Sequence, residues 1–324
     1  MHRAARMKKR LSLLLQALVS VILLAWIFWR PEFRTQVWQV VTSADPAWLA
    51  AGFAVAGLGN LLGVVRWAVF LKVLRISLPV WEIVRLSFVG LFFNSFLVGA
   101  VGGDAVKVVW LAARGHNKTS ALLSVLMDRM SGLGALVLCS LTFMLWRLDW
   151  LMSSPVVAGV IRFVFGYLAV VILLMAFSFV ISARGLTGRL PQRLPGRRMI
   201  LEFTDTYIRF VSAWRATLVA SALSLVILLA YFATFYCSAR AFGVNLPVPD
   251  FFAFMPAVDI ISALPVSLGG FGVRDKLFGI LLGDLAGVPM AQAVSVSLGG
   301  AVLSLLWGLF GLALLPSYRQ VVRS

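Results

Sequence analysis

Leu264-Pro265-Val266-Ser267-Leu268-Gly269-Gly270-Phe271-Gly272-Val273-Arg274-Asp275 interrupts an apolar run that extends from Phe251 to Leu282. Proline removes a helical N–H, and the glycines admit backbone conformations that other residues avoid, so no continuous helix is expected across this stretch. The halves on either side are about 10–18 residues long, whereas a membrane-spanning helix needs about 20. The run is therefore expected to enter and leave on one side, as a re-entrant helical hairpin. Broken backbone at membrane depth survives only when it is buried in protein or faces a wet cavity. A second run, Leu86 to Leu111, has the same character and is broken at Gly102-Gly103-Asp104.

The rest of the chain fits such a setting. Of its 324 residues, 61% are hydrophobic, and the mean hydropathy is +0.97. A soluble core of this length does not hide that much apolar surface, so the solvent is lipid. Six full spans are expected: Leu11 to Trp29, Ala47 to Leu71, Ser120 to Trp146, Phe163 to Ile181, Ala216 to Ala239 and Met290 to Leu315. The first follows Arg3, Arg6, Lys8, Lys9 and Arg10, but runs longer than a signal-peptide core and ends at Arg30-Pro31, so it reads as uncleaved.

The charge pattern orients these segments. The net charge is +17. With the N-terminus in the cytoplasm, twenty Lys and Arg residues fall inside and only Arg30, Arg34, Arg147, Arg162 and Arg240 fall outside. That bias obeys the positive-inside rule, and it accounts for the basic composition without a nucleic-acid partner. It also puts both termini in the cytoplasm and makes the hairpins open to opposite faces. The unit 47–146 then resembles 216–315 turned upside down: Gly102-Gly103 and Gly269-Gly270 lie 167 residues apart. The expected fold is an all-α polytopic membrane protein with six transmembrane helices and two opposed re-entrant hairpins, 86–111 and 251–282, in an inverted repeat. Span 11–29 is peripheral and span 163–181 links the halves. The loop 183–215 is rich in arginine, and its second half has a helical period, which suits a surface helix on anionic inner-leaflet headgroups; a plain basic loop fits equally well.

Charges within the apolar regions single out candidate residues, because each is expensive in lipid unless solvated or paired. They are Arg66, Asp104, Lys107, Asp128, Arg129, Asp259, Arg274, Asp275 and Lys276. Two readings stay open. They are structural ion pairs, with Asp128–Arg66 and Asp275–Arg129 as conceivable partners, or they line a wet cavity near the membrane midplane. Asp104 suits the N-cap of the hairpin's second arm, whose free N–H groups would favour an anion such as phosphate. Other chemistry finds little support. The only histidines are His2 and His116, and Cys139 and Cys237 lie in separate apolar runs, so no metal site and no cofactor are expected. Gly57-Leu58-Gly59-Asn60-Leu61-Leu62-Gly63 lacks a preceding strand and reads as helix packing rather than a nucleotide loop.

Three stretches carry a resemblance to a known family. Asn94-Ser95-Phe96-Leu97-Val98-Gly99-Ala100-Val101-Gly102-Gly103-Asp104-Ala105-Val106-Lys107, Ser124-Val125-Leu126-Met127-Asp128-Arg129 and the stretch from Leu264 to Asp275 occur in the order typical of the lysylphosphatidylglycerol synthase transmembrane-domain family, also called flippase-like. Val98, Lys107 and Asp275 stand where proline, arginine and glutamate are usual, keeping apolarity or charge. The resemblance adds Asn94 and Ser267 to the candidate binding residues, and marks Gly102, Gly103, Pro265, Gly269, Gly270 and Gly272 as hairpin breaks. It implies translocation of a lipid with a phosphate-containing polar head, such as a phospholipid, a polyprenyl-phosphate-linked sugar or a hopanoid, across a bacterial inner membrane. No soluble synthase domain accompanies these spans, which implies a stand-alone translocator with membrane lipids as its partners. No catalytic residue is assigned. A membrane-embedded transferase with Asp104 or Asp128 as general base, and a non-catalytic partner of a lipid-modifying enzyme, remain as alternatives. Self-association into a homo-oligomer is left open.

Overall fold

The computed structural model describes residues 22, 25, 29, 31–96, 102–183, 201, 212–264 and 266–315. Among these residues all regular structure is helical. Helix α1 (Pro31–Thr42) leads into α2 (Pro46–Val73), which begins on a cap: the Asp45 side chain accepts from the Ala47 N–H at 2.8 Å. Next come α3 (Val80–Phe96) and α4 (Gly102–Ala113), then α5 (Lys118–Trp146), capped by Asn117. The single turn α6 (Leu148–Leu151) precedes α7 (Pro155–Ala183). The second half contains α8 (Trp214–Ala241), α9 (Val248–Ala263), a 3-10 turn (Leu268–Gly270), α10 (Val273–Ala286) and α11 (Met290–Ala313).

Five of these helices, α2, α5, α7, α8 and α11, are long and apolar enough to cross a bilayer. They answer to five of the six expected spans. The expected first span, 11–29, lies almost wholly outside the described residues, as do the loop 184–200 and most of its expected surface helix. Two boundaries differ from expectation. Pro31–Thr42 is helical rather than loop, and α7 starts at Pro155, which brings Arg162 inside the helix instead of leaving it in an outer loop. Proline at the first helical position is well tolerated there because its missing N–H would be unpaired anyway.

Helices α3 and α4 pack against each other and run antiparallel. Glu82 near the start of α3 meets Arg114 just beyond the end of α4 at 3.0 Å, and Gly90 meets Gly103 near the tip. Helices α9 and α10 pair likewise, with Phe251 and Phe254 against Phe278. The first break is displaced from its expected position. Gly102, Gly103 and Asp104 belong to the first turn of α4 rather than to a break. In the second pair Gly269, Gly270 and Gly272 do lie in the break, with φ of 60°, 78° and 81°. Pro265 lies outside the described residues.

Each helix pair is the centre of its own apolar cluster. Trp67, Leu71, Leu86, Trp110 and Leu111 fill the first, and Phe232, Phe235, Phe251, Phe254 and Phe278 the second, all almost completely buried. Between the clusters, α2 and α8 lie side by side. Gly52 approaches Cys237 while Gly59 approaches Ala230, which makes them antiparallel. Other contacts correspond between the halves: α3 packs on α11 as α9 packs on α5, and α4 on α5 as α10 on α11. Helix α7 presents Leu173, Leu174 and Phe177 outward, as a lipid-facing surface does.

Candidate functional site

A cavity of about 600 Å³ lies where the two halves meet, walled by α2, α3, α4, α5, α8 and α9. Its charged lining is Arg66, Asp104, Lys107, Asp128, Arg129 and Asp259. Depth follows from helix geometry. Asp128 is 10 residues into α5 and Asp259 is 11 residues into α9, so each lies roughly 15 Å from its helix start at ~1.5 Å per residue. That is half the thickness of a hydrocarbon core of about 30 Å.

Four of the six charges are tied in pairs. Arg66 Nε donates to Asp128 Oδ1 at 2.7 Å, and Arg66 Nη1 donates to Ser224 at 3.0 Å. Ser224 in turn shares a 2.7 Å hydrogen bond with Ser131. Arg129 Nε donates to Asp104 Oδ2 at 2.6 Å. The expected Asp128–Arg66 pair is thus present, whereas Asp275–Arg129 is not: Arg129 turns to α4, and Asp275 is held by Gly272 of its own hairpin and Ser297 of α11. The N-cap expected of Asp104 is also corrected. Asn94, on the opposite arm, accepts from the Gly103 N–H at 2.7 Å and closes the start of α4, which releases Asp104 for Arg129.

Lys107 and Asp259 stand apart from these pairs. The Lys107 ammonium lies 4.4 Å from the centre of the Trp67 ring, a cation–π contact. Asp104 and Asp128 are within its electrostatic reach, but no ion pair closer than 4.0 Å forms with either. Asp259 senses Arg274 across the second hairpin and makes no hydrogen bond among the described residues.

The expected site residues therefore divide. Arg66, Asn94, Asp104, Lys107, Asp128 and Arg129 line one cavity. Ser267, Arg274, Asp275 and Lys276 are not part of its wall. Asp275 is fully buried: its Oδ2 accepts from the Gly272 N–H at 2.9 Å, and its Oδ1 accepts from Ser297 at 2.5 Å. Arg274 donates to the same Ser297 at 3.1 Å and lies over the Phe271 and Phe235 rings. Ser267 is buried with no partner for its hydroxyl among the described residues, and Lys276 is exposed on α10.

Two polar residues of the cavity lining, Asn60 and Ser87, escaped the sequence reading, as did Ser224, which is buried behind Arg66. A signal existed for the first. Asn60, Gly63 and Arg66 recur every three residues, so one helical face of α2 carries all three. The glycine-rich segment read as packing is only partly that. Gly57 lies under Trp307, but Gly63 has open space and lines the cavity.

Apolar spanning helices around a charged cavity at mid-depth define a polytopic membrane protein with an internal polar site. The chain belongs to the lysylphosphatidylglycerol synthase transmembrane-region family, whose model matches residues 13–313. It is also similar to a UPF0104 membrane protein of Pyrococcus horikoshii, with 25% identity over 323 residues, covering 90% of this chain and 91% of that protein.

Proposed function

We propose that the protein is a lipid translocator of a bacterial inner membrane and not an enzyme. It binds the phosphate-containing head of a lipid in the cavity between its halves. The observation that carries this reading is a cavity of about 600 Å³ at mid-depth, lined by charged residues from three spans or hairpin arms of the first half and one arm of the second. That volume is in the range of about 300–1,000 Å³ common for ligand sites. Ionisable groups at such depth are expensive and mark transport pathways. Leu133 and Leu136 of α5 and Ile227 and Leu228 of α8 supply an apolar wall beside the charges, along which acyl chains would lie.

The topology of this reading is an inverted repeat with two opposed re-entrant hairpins, α3–α4 and α9–α10, and both termini in the cytoplasm. Two features support it. Equivalent helices α2 and α8 pack antiparallel, which a two-fold axis perpendicular to them demands. Each hairpin also lays a cation over an aromatic ring of the preceding span: Lys107 over Trp67 at 4.4 Å, and Arg274 over Phe235 at 5.6 Å. These residues match at offsets of 167 and 168, close to the spacing of the glycine pairs. Tilting one half against the other would open the cavity to either face.

Purified protein reconstituted in liposomes with tail-labelled phospholipids tests the proposal, with and without an imposed pH gradient. Faster passage between leaflets than in empty vesicles is expected, with loss in Arg66→Ala. Passage at the rate of empty vesicles under all conditions would contradict it. Product formed by purified protein from a polyprenyl-linked donor would favour the transferase reading instead.

A further inference from the structure

The balance of charge in the cavity narrows the head it takes. Arg66 with Asp128, and Arg129 with Asp104, each close on themselves. What remains is one cation from the first hairpin, Lys107, and one anion from the second, Asp259. Neither forms an ion pair with any described residue. Arg274, whose charge acts on Asp259, forms no ion pair with it and instead bonds Ser297 and Tyr231 and lies over two ring faces. An unpaired charge in a low-dielectric wall costs free energy that a counter-charge on a ligand recovers.

We infer that the cavity selects a net-neutral zwitterionic lipid head, with one phosphate held by Lys107 and one ammonium held by Asp259. This rests on the translocator reading and adds the chemical class of its cargo. A head with phosphate alone satisfies Lys107 but leaves Asp259 without a counter-ion and adds like charge beside it. A head with an excess of amines over phosphates brings a second cation to a wall whose other carboxylates, Asp104 and Asp128, already have partners. A zwitterion answers both vacancies at once. It also spans the boundary between the two halves, so its charges would register whether the halves are closed on it.

The test is lipid retention by the purified full-length protein in detergent, read by native mass spectrometry. The probes are chain-matched phosphatidylethanolamine, phosphatidylglycerol and an aminoacyl phosphatidylglycerol of net positive charge. Wild type is expected to retain phosphatidylethanolamine about tenfold better than either of the others, the scale of one desolvated charge pair. Asp259→Asn, which keeps the shape, should erase that preference by weakening phosphatidylethanolamine while leaving phosphatidylglycerol unchanged or improved. Asp259→Glu should restore part of it. Lys107→Gln should weaken all three lipids. Equal retention of the three by wild type, or a preference untouched in Asp259→Asn, overturns the assignment of the head while leaving a lipid site in place. Retention of no lipid at all overturns both the assignment and the translocator reading beneath it.

Discussion

The two hairpins carry nearly the same sequence device, a glycine pair followed within a few residues by an acid and a base, yet they spend it differently. In the first, both glycines are helical, and their small size serves approach: a Cβ on Gly103 would overlap the Gly90 carbonyl. The arm is closed from outside by Asn94, so Asp104 pairs with Arg129 on the cavity wall and Lys107 stays available to the cavity. In the second, the glycines supply left-handed backbone, and the charges bind Gly272 of their own hairpin and Ser297 of the adjoining α11. One hairpin places its charges on a cavity wall and the other uses them to hold the packing around itself. A motif read from sequence thus locates chemistry without saying whether that chemistry is spent inside the protein or offered outside it.

The largest effect that sharpens this contrast is expected at Asp275. Its replacement by alanine strands the buried Gly272 N–H and the buried Ser297 hydroxyl, at about 1–3 kcal/mol each. Thermal melting of detergent-purified Asp275→Ala against wild type measures it, and a melting temperature unchanged within error would break the structural role given to the second hairpin. The glycines come next. Gly103→Ala meets backbone, and overpacking of this kind costs about 1–3 kcal/mol. Gly269→Ala places a side chain at φ 60°, a conformation that costs about 1–2 kcal/mol for an ordinary residue. The two respond differently to asparagine, which tolerates the left-handed region. Gly269→Asn should recover much of the stability lost in Gly269→Ala, whereas Gly103→Asn should be worse than Gly103→Ala. The same melts decide the point, and identical behaviour at both sites would erase the distinction.

A smaller loss is expected from Asn94→Ala, about 1 kcal/mol for a helix-start cap. Its effect on lipid passage should exceed that, because a loosened start of α4 lets Asp104 turn from Arg129 toward the open N–H groups. A drop in stability with full transport would contradict this. Smallest of all is the exposed pair at the open end of the first hairpin. Glu82→Gln should change stability by about 0–1 kcal/mol, as exposed ion pairs do.

Much of this was legible in the sequence. The apolar lengths placed five spanning helices within a turn or two at most ends, because about 20 apolar residues are a physical requirement rather than a preference. Charges in apolar surroundings marked all six charged residues of the cavity wall for the same reason. What could not be read was pairing. Arg129 has carboxylates near it in sequence and in the other hairpin, and only the packing of α4 on α5 selects Asp104. The first break was misplaced because Gly-Gly was taken for a turn, when its value lies in the absence of a side chain between two close helices. Uncharged polar residues such as Ser224 were missed because a lone serine in a span is cheap and common; its role follows from facing both Arg66 and Ser131.

The division of labour between the hairpins can be measured directly on the two cations laid over aromatic rings. Lys107→Gln and Arg274→Gln, each purified, melted and reconstituted side by side, give lipid passage and melting temperature for the same pair. The account predicts that Lys107→Gln loses most lipid passage while its melting temperature stays within a few degrees of wild type, and that Arg274→Gln lowers the melting temperature markedly. The opposite pattern, with transport intact in Lys107→Gln and stability intact in Arg274→Gln, would contradict the claim that the first hairpin holds the site and the second holds the fold.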